Sequence, residues 1–461
     1  MKKALPSKVR KRILGMVDFG LVLASVLIAW GTKSGPENPS LWTVLPRILL
    51  ISLVLQLSFY YNNLYNLRGT HRSFWLTFNL VQSFAVAAVV LGATYLLFPT
   101  LMIARGVFFL SIVFVMLLVF PWRFFYVRML KRRGICDNIL IVGTNGVAGE
   151  IARELIQKAP PGYHLAGFWT TNGKPPSVSE PLPVVSGTDR KVFDWLNENR
   201  INTVVAAAKD GEEPTSRAFL SQIQQQVPEA EVRKASDFYE EVTGKVLLPA
   251  LTVADVQQFR NSARRRLAWH FKRLIDIVIS LAGLVLTLPI SIVTAIAIKL
   301  TSKGLILFAQ ERVGQNGNVF KLLKFRSMWH NAEANSGPVW AGVRDKRITP
   351  VGRVIRKFRI DEFPQMLNVL RGQMSFVGPR PERPYFIPTL EKEIPFYSQR
   401  HCVKPGLTGL AQVRHYYTSS MEETVGKLQY DLYYIKHMSP LLDFMILLDT
   451  VKTVMFGAGA R

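Results

Sequence analysis

The chain has 461 residues, of which 57 are Lys or Arg and 32 are Asp or Glu, a formal net charge of +25. That length suffices for about three domains, and a mean hydropathy of +0.17 with long uncharged runs excludes a wholly soluble protein. So basic a membrane chain needs anionic company, from an anionic leaflet or phosphorylated substrates, and no nucleic acid is expected among its partners.

Four apolar runs occupy the first third, Ile13 to Trp30, Ile48 to Tyr61, Phe74 to Phe98 and Gly106 to Trp122, each close to the ~20 residues that cross a bilayer as a helix. The basic clusters at Lys8 to Arg12, Arg68 to Arg72 and Arg123 to Arg133 alternate with the sparser Lys33, Arg47 and Arg105. The positive-inside rule then puts both ends of this bundle, residues 1–133, on the cytoplasmic side. Asp18 lies inside the first run, and an acid there is either functional or paired with a nearby base; the neighbouring basic cluster favours pairing. No cleavable leader is expected, because the first run is as long as a span and has no small-residue cleavage pattern after it.

Residues 134–260 read as a cytoplasmic α/β module. Asn138 to Val142 is a strand that turns through Gly143, Gly146 and Gly149 into a helix. Strands at His164 to Trp169, Asn202 to Ala208 and Glu231 to Lys234 alternate with helices at Lys191 to Asn199 and Thr215 to Val227, a Rossmann-like order. The second strand ends in Thr170-Thr-Asn172, with no acid for a ribose hydroxyl. NAD binding and a degenerate structural module therefore both stay open. Cys136 and Cys402, the only cysteines, lie far apart and outside any paired-thiol motif, which argues against a disulfide framework and a zinc site.

A fifth apolar run, Ile277 to Ile298, opens the last region, residues 261–461. It is long enough to span, yet Arg264 to Arg266, Lys272 and Arg273 precede it and Lys299 and Lys303 follow. Spanning would carry an arginine-rich domain outward, against the charge bias. Pro289 near its middle removes a backbone donor and clashes with the preceding turn. The expectation is a re-entrant helix that breaks at Pro289 and leaves by the cytoplasmic face.

The chemistry is concentrated further on. Asp361 and Glu362 are adjacent inside a run that includes Arg356, Arg359, Arg371 and Arg380. Cations flanking two carboxylates favour their ionised forms and attract phosphate as well. Taken alone, the residues fit either a solvated salt-bridge face or a site where an anionic substrate meets an acidic nucleophile or metal ligand. The tyrosines at 416, 417, 430, 433 and 434 read as core and interfacial anchors.

Ordered motifs decide between these. Lys272-Arg-Leu-Ile-Asp276, Gln310-Glu-Arg-Val-Gly314, Lys324-Phe-Arg-Ser-Met328, Arg353 to Glu362, Asn368 to Pro381, Lys404 to Val413 and Tyr430 to Ile435 follow one another as in the polyprenyl-phosphate hexose-1-phosphate transferases. The resemblance to these bacterial phosphoglycosyl transferases covers Phe271 to Phe456, and the N-terminal regions look like the long, WbaP-like, exopolysaccharide-type branch. It implies a fold of three parts: an α-helical membrane bundle, a Rossmann-like α/β module and an α-rich monotopic catalytic domain. It implies that Asp361 is the nucleophile and that Glu362, with Asp361, holds Mg²⁺. Arg380 matches the family's phosphate-binding arginine, and Lys324, Arg356 and Asp431 match further functional positions; Asp431 also fits a structural acid paired with Lys427 or Lys436. One departure is Leu288 before Pro289, where family members often carry Ser; Thr287 is the candidate substitute for its hydroxyl.

The resemblance implies transfer of hexose-1-phosphate from a UDP-hexose to undecaprenyl phosphate, at the cytoplasmic face of a bacterial inner membrane. A membrane-anchored NAD-dependent nucleotide-sugar dehydratase is the alternative, disfavoured because no Tyr-x-x-x-Lys pair occurs. A non-catalytic scaffold for glycan assembly is the third reading. A homodimer is compatible with an N-terminal half that carries no evident chemistry.

Overall fold

The computed structural model describes residues 7–33, 40–62, 64–65, 73–103, 105–130, 137–143, 145–158, 163–171, 182–207, 214–252, 255–257, 264–329, 345, 347–414 and 420–455. Cys136, the Arg68 to Arg72 cluster, Asn172, Ala208, Tyr416 and Tyr417 lie outside these. The chain divides into two compact units, Met1–Thr243 and Gly244–Arg461.

The first unit begins with α1 (Ser7–Lys33), α2 (Leu41–Tyr61), α3 (Ser73–Leu97) and α4 (Arg105–Leu130). Each contains a stretch long and apolar enough to cross a membrane: Arg12–Thr32, Trp42–Tyr61, Asn79–Leu97 and Gly106–Tyr126. Helix α1 packs on α2 and α4, and α2 on α3. Leu14, Val22, Val26, Ile48, Ile51, Val115 and Val119 form the seam, while Val89, Leu96, Phe109 and Leu117 face outward. Such an apolar exterior suits lipid, not water. Asp18 is fully buried and pairs with Arg123 of α4, whose guanidinium also bonds the Leu64 carbonyl and lies 4.7 Å from the Tyr65 ring centroid. Asp18 thus has its basic partner on another helix, and the pair ties α1 to α4 where an unpaired charge would be costly.

The same unit contains a five-stranded parallel sheet in the order β3-β2-β1-β4-β5. Its strands are β1 (Asp137–Val142), β2 (Tyr163–Trp169), β3 (Val184–Val185), β4 (Ile201–Ala206) and β5 (Glu231–Lys234). The helices are α5 (Gly146–Lys158), α6 (Arg190–Glu198), α7 (Pro214–Gln226) and α8 (Ala235–Thr243). Nearly continuous burial along β1 follows from helices covering both faces of a parallel sheet. The elements agree with the sequence reading to within a residue or two at their described ends; β3 and α8 are additional. Gly143, at φ 120°, makes the turn after β1, and the Asn145 side chain donates to the Ala207 carbonyl (2.8 Å) and accepts from the Ala148 N–H (3.1 Å). Asn145 therefore links the ends of β1 and β4, the neighbours where strand order reverses.

In the second unit, residues 244–251 join the core: the Val246 N–H bonds the Gln429 carbonyl (3.1 Å), and Leu248 and Leu251 pack beside it. Next comes α9, which runs from Arg264 to Thr301 with Pro289 inside it. Residues His270–Thr301 are long and apolar enough to cross a membrane. Both ends of α9 are held by this unit. Near its start Lys272 pairs with Asp443 (2.7 Å), Arg273 bonds the Val369 and Leu370 carbonyls (2.5 and 2.7 Å), and Asp276 accepts from the Ser375 hydroxyl and the Phe376 N–H. Near its end Ile298 packs with Phe325 and Ile355, and Ser302 accepts from Arg326. The Thr287 hydroxyl bonds the Gly283 carbonyl (2.7 Å), and not that of Val285, whose helical donor Pro289 removes.

The rest of the unit is helical with two short sheets. Strands β6 (Leu307–Val313) and β7 (Val319–Phe325) form an antiparallel hairpin, and β8 (Ser375–Val377) pairs in parallel with β9 (Gly406–Thr408). A helix at Met421–His437, opened by a Ser420/Glu423 capping box, and another at Pro440–Met455 complete it. Tyr434 is buried, with its hydroxyl on the Asp443 carboxylate (2.8 Å).

Candidate active site

The site is assembled on β7. The Asn368 side chain accepts from the Leu323 N–H (3.0 Å) and donates to the Lys321 carbonyl (2.8 Å), docking the helix Gln365–Leu370 against that strand. A helix at Pro350–Lys357 precedes it, with Pro350 at its first position and Thr349 capping the Gly352 N–H (2.8 Å). Gly352 lies so close to the Ser327 carbonyl that no Cβ fits. The chain then turns through Arg359, which is left-handed at φ 57°, into the single turn Ile360–Glu362. For a residue with a long side chain that conformation is uncommon and is retained only where its surroundings impose it. It delivers Asp361 and Glu362 against Lys324.

Glu362 Oε1 is the focus. Arg380 Nη2 lies 3.0 Å from it, Arg359 Nη1 3.5 Å and Lys324 Nζ 3.8 Å. Burial works against the charge on Glu362, but Arg380, Lys324 and Arg359 outweigh it and hold its carboxyl down at about 2. Asp361 is only 6% exposed. Burial, then the charge of Glu362, push its carboxyl above the usual range, against the pull of Lys324, Arg356 and Arg380. The two carboxylates are thus driven apart, one firmly ionised and the other poised. Burial brings the Lys324 ammonium down to about 8 in spite of Glu362. It also lowers Arg356, whose Nε donates to the Ser327 hydroxyl (2.8 Å).

Of the residues singled out in the sequence, five meet here: Asp361, Glu362, Lys324, Arg356 and Arg380. Asp431 reaches the site differently. It is 2% exposed and accepts from Arg400 (2.8 Å), which in turn donates to the Arg380 carbonyl (2.8 Å). Its hydrogen-bonded partner is thus Arg400, and the charge of Lys427 also favours the ionised carboxylate. In sequence Arg359 was one more arginine of a rich run with no task of its own, and Arg400 was not singled out, since nothing in the stretch around it distinguishes it.

Among the described residues no three His, Cys, Asp or Glu side chains gather as a metal site. Mg²⁺ does not need that many, since it commonly binds one or two carboxylates with water and substrate phosphates. The shortest contact that each of Arg380, Arg359 and Lys324 makes with Glu362 is to Oε1. An ionised Glu362 beside Asp361 thus supplies a donor set that fits this cation.

The family described as bacterial sugar transferase matches residues 267–457. A putative undecaprenyl-phosphate N-acetylgalactosaminyl 1-phosphate transferase of Bacillus subtilis is 46% identical over 149 residues, 32% of this chain and 83% of its own. The chain belongs to the bacterial sugar transferase family. A UDP-N-acetylgalactosamine-undecaprenyl-phosphate N-acetylgalactosaminephosphotransferase of Aeromonas hydrophila is also 46% identical, over 41% of this chain and 45% of its own, so this chain spans less than half of that relative. A UDP-glucose:undecaprenyl-phosphate glucose-1-phosphate transferase of Xanthomonas campestris is 28% identical over 72% of this chain and 69% of its own, a likeness that reaches well beyond the transferase region.

Proposed function

We propose that this protein transfers a hexose-1-phosphate from a UDP-hexose to undecaprenyl phosphate and releases UMP. The observation that carries the reading is a buried, poised Asp361 beside an ionised Glu362 and four cations, in a chain whose relatives are named for this reaction. An Asp361 carboxylate oxygen attacks the phosphorus bearing the sugar; the bond to the bridging oxygen breaks, UMP leaves and an aspartyl-phosphosugar remains. An oxygen of the lipid phosphate then attacks the same phosphorus, the bond to Asp361 breaks, and the carboxylate is regenerated. Arg380 and Arg356 orient the phosphates, and the planar guanidinium of Arg380 suits a bidentate grip. Mg²⁺ held by Glu362 and Asp361 would offset charge on the diphosphate.

One substrate is water-soluble and the other has its phosphate at the leaflet surface, so the reaction belongs at that interface. Helix α9, held at both ends by one unit, serves it best as a re-entrant element entering and leaving on the cytoplasmic face of a bacterial inner membrane. The product then starts a lipid-linked glycan, as in exopolysaccharide synthesis.

The test is UMP release by the purified full chain in native lipid, with Mg²⁺, across a panel of UDP-hexoses with and without undecaprenyl phosphate. Lipid-dependent UMP from one sugar supports the reading and identifies the donor. Silence with every donor overturns it in favour of a scaffold, and conversion of the sugar without UMP release favours a dehydratase.

Lys324 sets a pH limit on the reaction. Its ammonium, charged below about 8, is lost as pH rises through that value, so kcat/KM is expected to fall on an alkaline limb near there. Arginine stays charged throughout, so Lys324→Arg should move that limb beyond pH ~10 even if its maximum is lower. An identical alkaline limb in both proteins would assign the ionisation to another group.

A further inference from the structure

The loop that presents Arg380 is gripped at three successive carbonyls from three directions. Pro379 accepts from the Gly406 N–H (2.8 Å), Arg380 from Arg400 Nη2 (2.8 Å) and Pro381 from Arg312 Nη1 (3.1 Å). The middle grip is a side chain that is itself over-determined. Arg400 is 9% exposed; its Nη2 also meets Asp431 Oδ2 at 2.8 Å, its Nη1 donates to the Tyr397 hydroxyl at 2.6 Å, and its guanidinium carbon lies 5.1 Å from the Tyr397 ring centroid. Asp431, from the helix Met421–His437, neutralises a guanidinium that burial would otherwise make costly.

The Arg380 side chain, by contrast, is 34% exposed at the end of a flexible stem, and its 3.0 Å contact with Glu362 depends on where its own backbone is held. We propose that Arg400 is a positioning residue: backed by Asp431 and Tyr397, it locks the main chain of residue 380 so that the Arg380 guanidinium is aimed at Glu362 and the reacting phosphate. This rests on the transfer reaction proposed above and gives Asp431 a task different from touching substrate. A planar fork with several donors can serve a carbonyl, a carboxylate and a phenol together; a lysine ammonium at the same place lacks that geometry.

A purely structural ion pair and a positioning device differ in one respect: removing both charges of a structural pair restores what removing one destroys. The test therefore compares the wild type, Arg400→Lys, and the paired variant Arg400→Met with Asp431→Leu, as full chains in native lipid. Thermal unfolding establishes folding, hydrogen exchange follows the amides of Gly378, Arg380, Glu382 and Arg383, and kcat and KM are measured for the UDP-hexose. The expected result for the paired variant is near-normal unfolding, faster exchange across 378–383, and kcat/KM down about 100-fold, a loss typical of misplaced electrostatic groups. Arg400→Lys keeps the charge opposite Asp431 and should show the same two defects, which covers the case in which the paired variant does not fold. Wild-type exchange in a folded variant, or faster exchange with wild-type kcat/KM, overturns the proposal. The exchange arm needs no turnover, so a failure of the transfer reading would show as an inactive wild type and leave the loop measurement to be judged on its own.

Discussion

Asp361→Asn is expected to eliminate lipid-dependent UMP release, on the order of 10⁴-fold or more, because the amide cannot form the acyl phosphate of the proposed two-step transfer. The diagnostic measurement is single turnover without the lipid. Wild-type protein mixed with its UDP-sugar should release one UMP per site and retain the sugar phosphate; the variant should release none. The variant should also unfold no more easily than the wild type. Burial and the charge of Glu362 both disfavour ionised Asp361, so a neutral side chain of the same shape relieves a tension in the folded state. Loss of activity with undiminished stability would exclude misfolding as its cause. A lipid-free burst of UMP from the variant would assign the nucleophile to another residue, and lipid-dependent UMP from the variant would mean that the lipid phosphate attacks the donor directly.

Glu362→Gln should be the second most severe substitution, costing about 10²- to 10³-fold in kcat, as expected for loss of a central electrostatic group. Its stability should move the opposite way. Glu362 Oε1 is the common partner of Arg380, Arg359 and Lys324, and a neutral amide leaves those cations crowded together without their counter-charge. Melting at lower temperature is therefore expected, together with a Mg²⁺ requirement, titrated back after chelation, shifted to higher concentration. An unchanged Mg²⁺ midpoint would remove Glu362 from the metal site, and an unchanged melting temperature would mean the three cations are already satisfied elsewhere.

Much of the architecture was legible because it follows from one-dimensional physics. A bilayer demands about 20 apolar residues per helical span, and a doubly wound module announces itself by alternating periods; the four bundle helices and strands β1, β2, β4 and β5 came out nearly where those rules put them. Strand β3 is two residues long, too short for any period to register. The hairpin β6–β7 and the pair β8–β9 were missed for a related reason: their pairing is supplied by chain neighbours and glycine approaches, not by alternation. Gly406 and Gly378 lie back to back where a side chain on either would strike the other strand.

The carboxylates of the candidate site were recognisable as a pair, and the resemblance implied tasks for them. Their inequality was not, since Asp361 and Glu362 are chemically alike and differ only in what surrounds them. Three cations converge on one oxygen of Glu362 while Asp361 is turned inward by the left-handed Arg359. Asp431 is the sharpest case, because spacing along one helix offers only neighbours such as Lys427 and Lys436, whereas its hydrogen-bonded ion-pair partner is Arg400 in a separate loop. Hydropathy and charge act locally or on average and can be read along a chain, so they located the helices long and apolar enough to cross a membrane and the α/β module, and they pointed to an anionic substrate. Directional contacts between residues far apart in sequence depend on how the chain closes on itself, and only that closure separated the poised carboxylate from the ionised one and linked Asp431 through Arg400 to the Arg380 carbonyl.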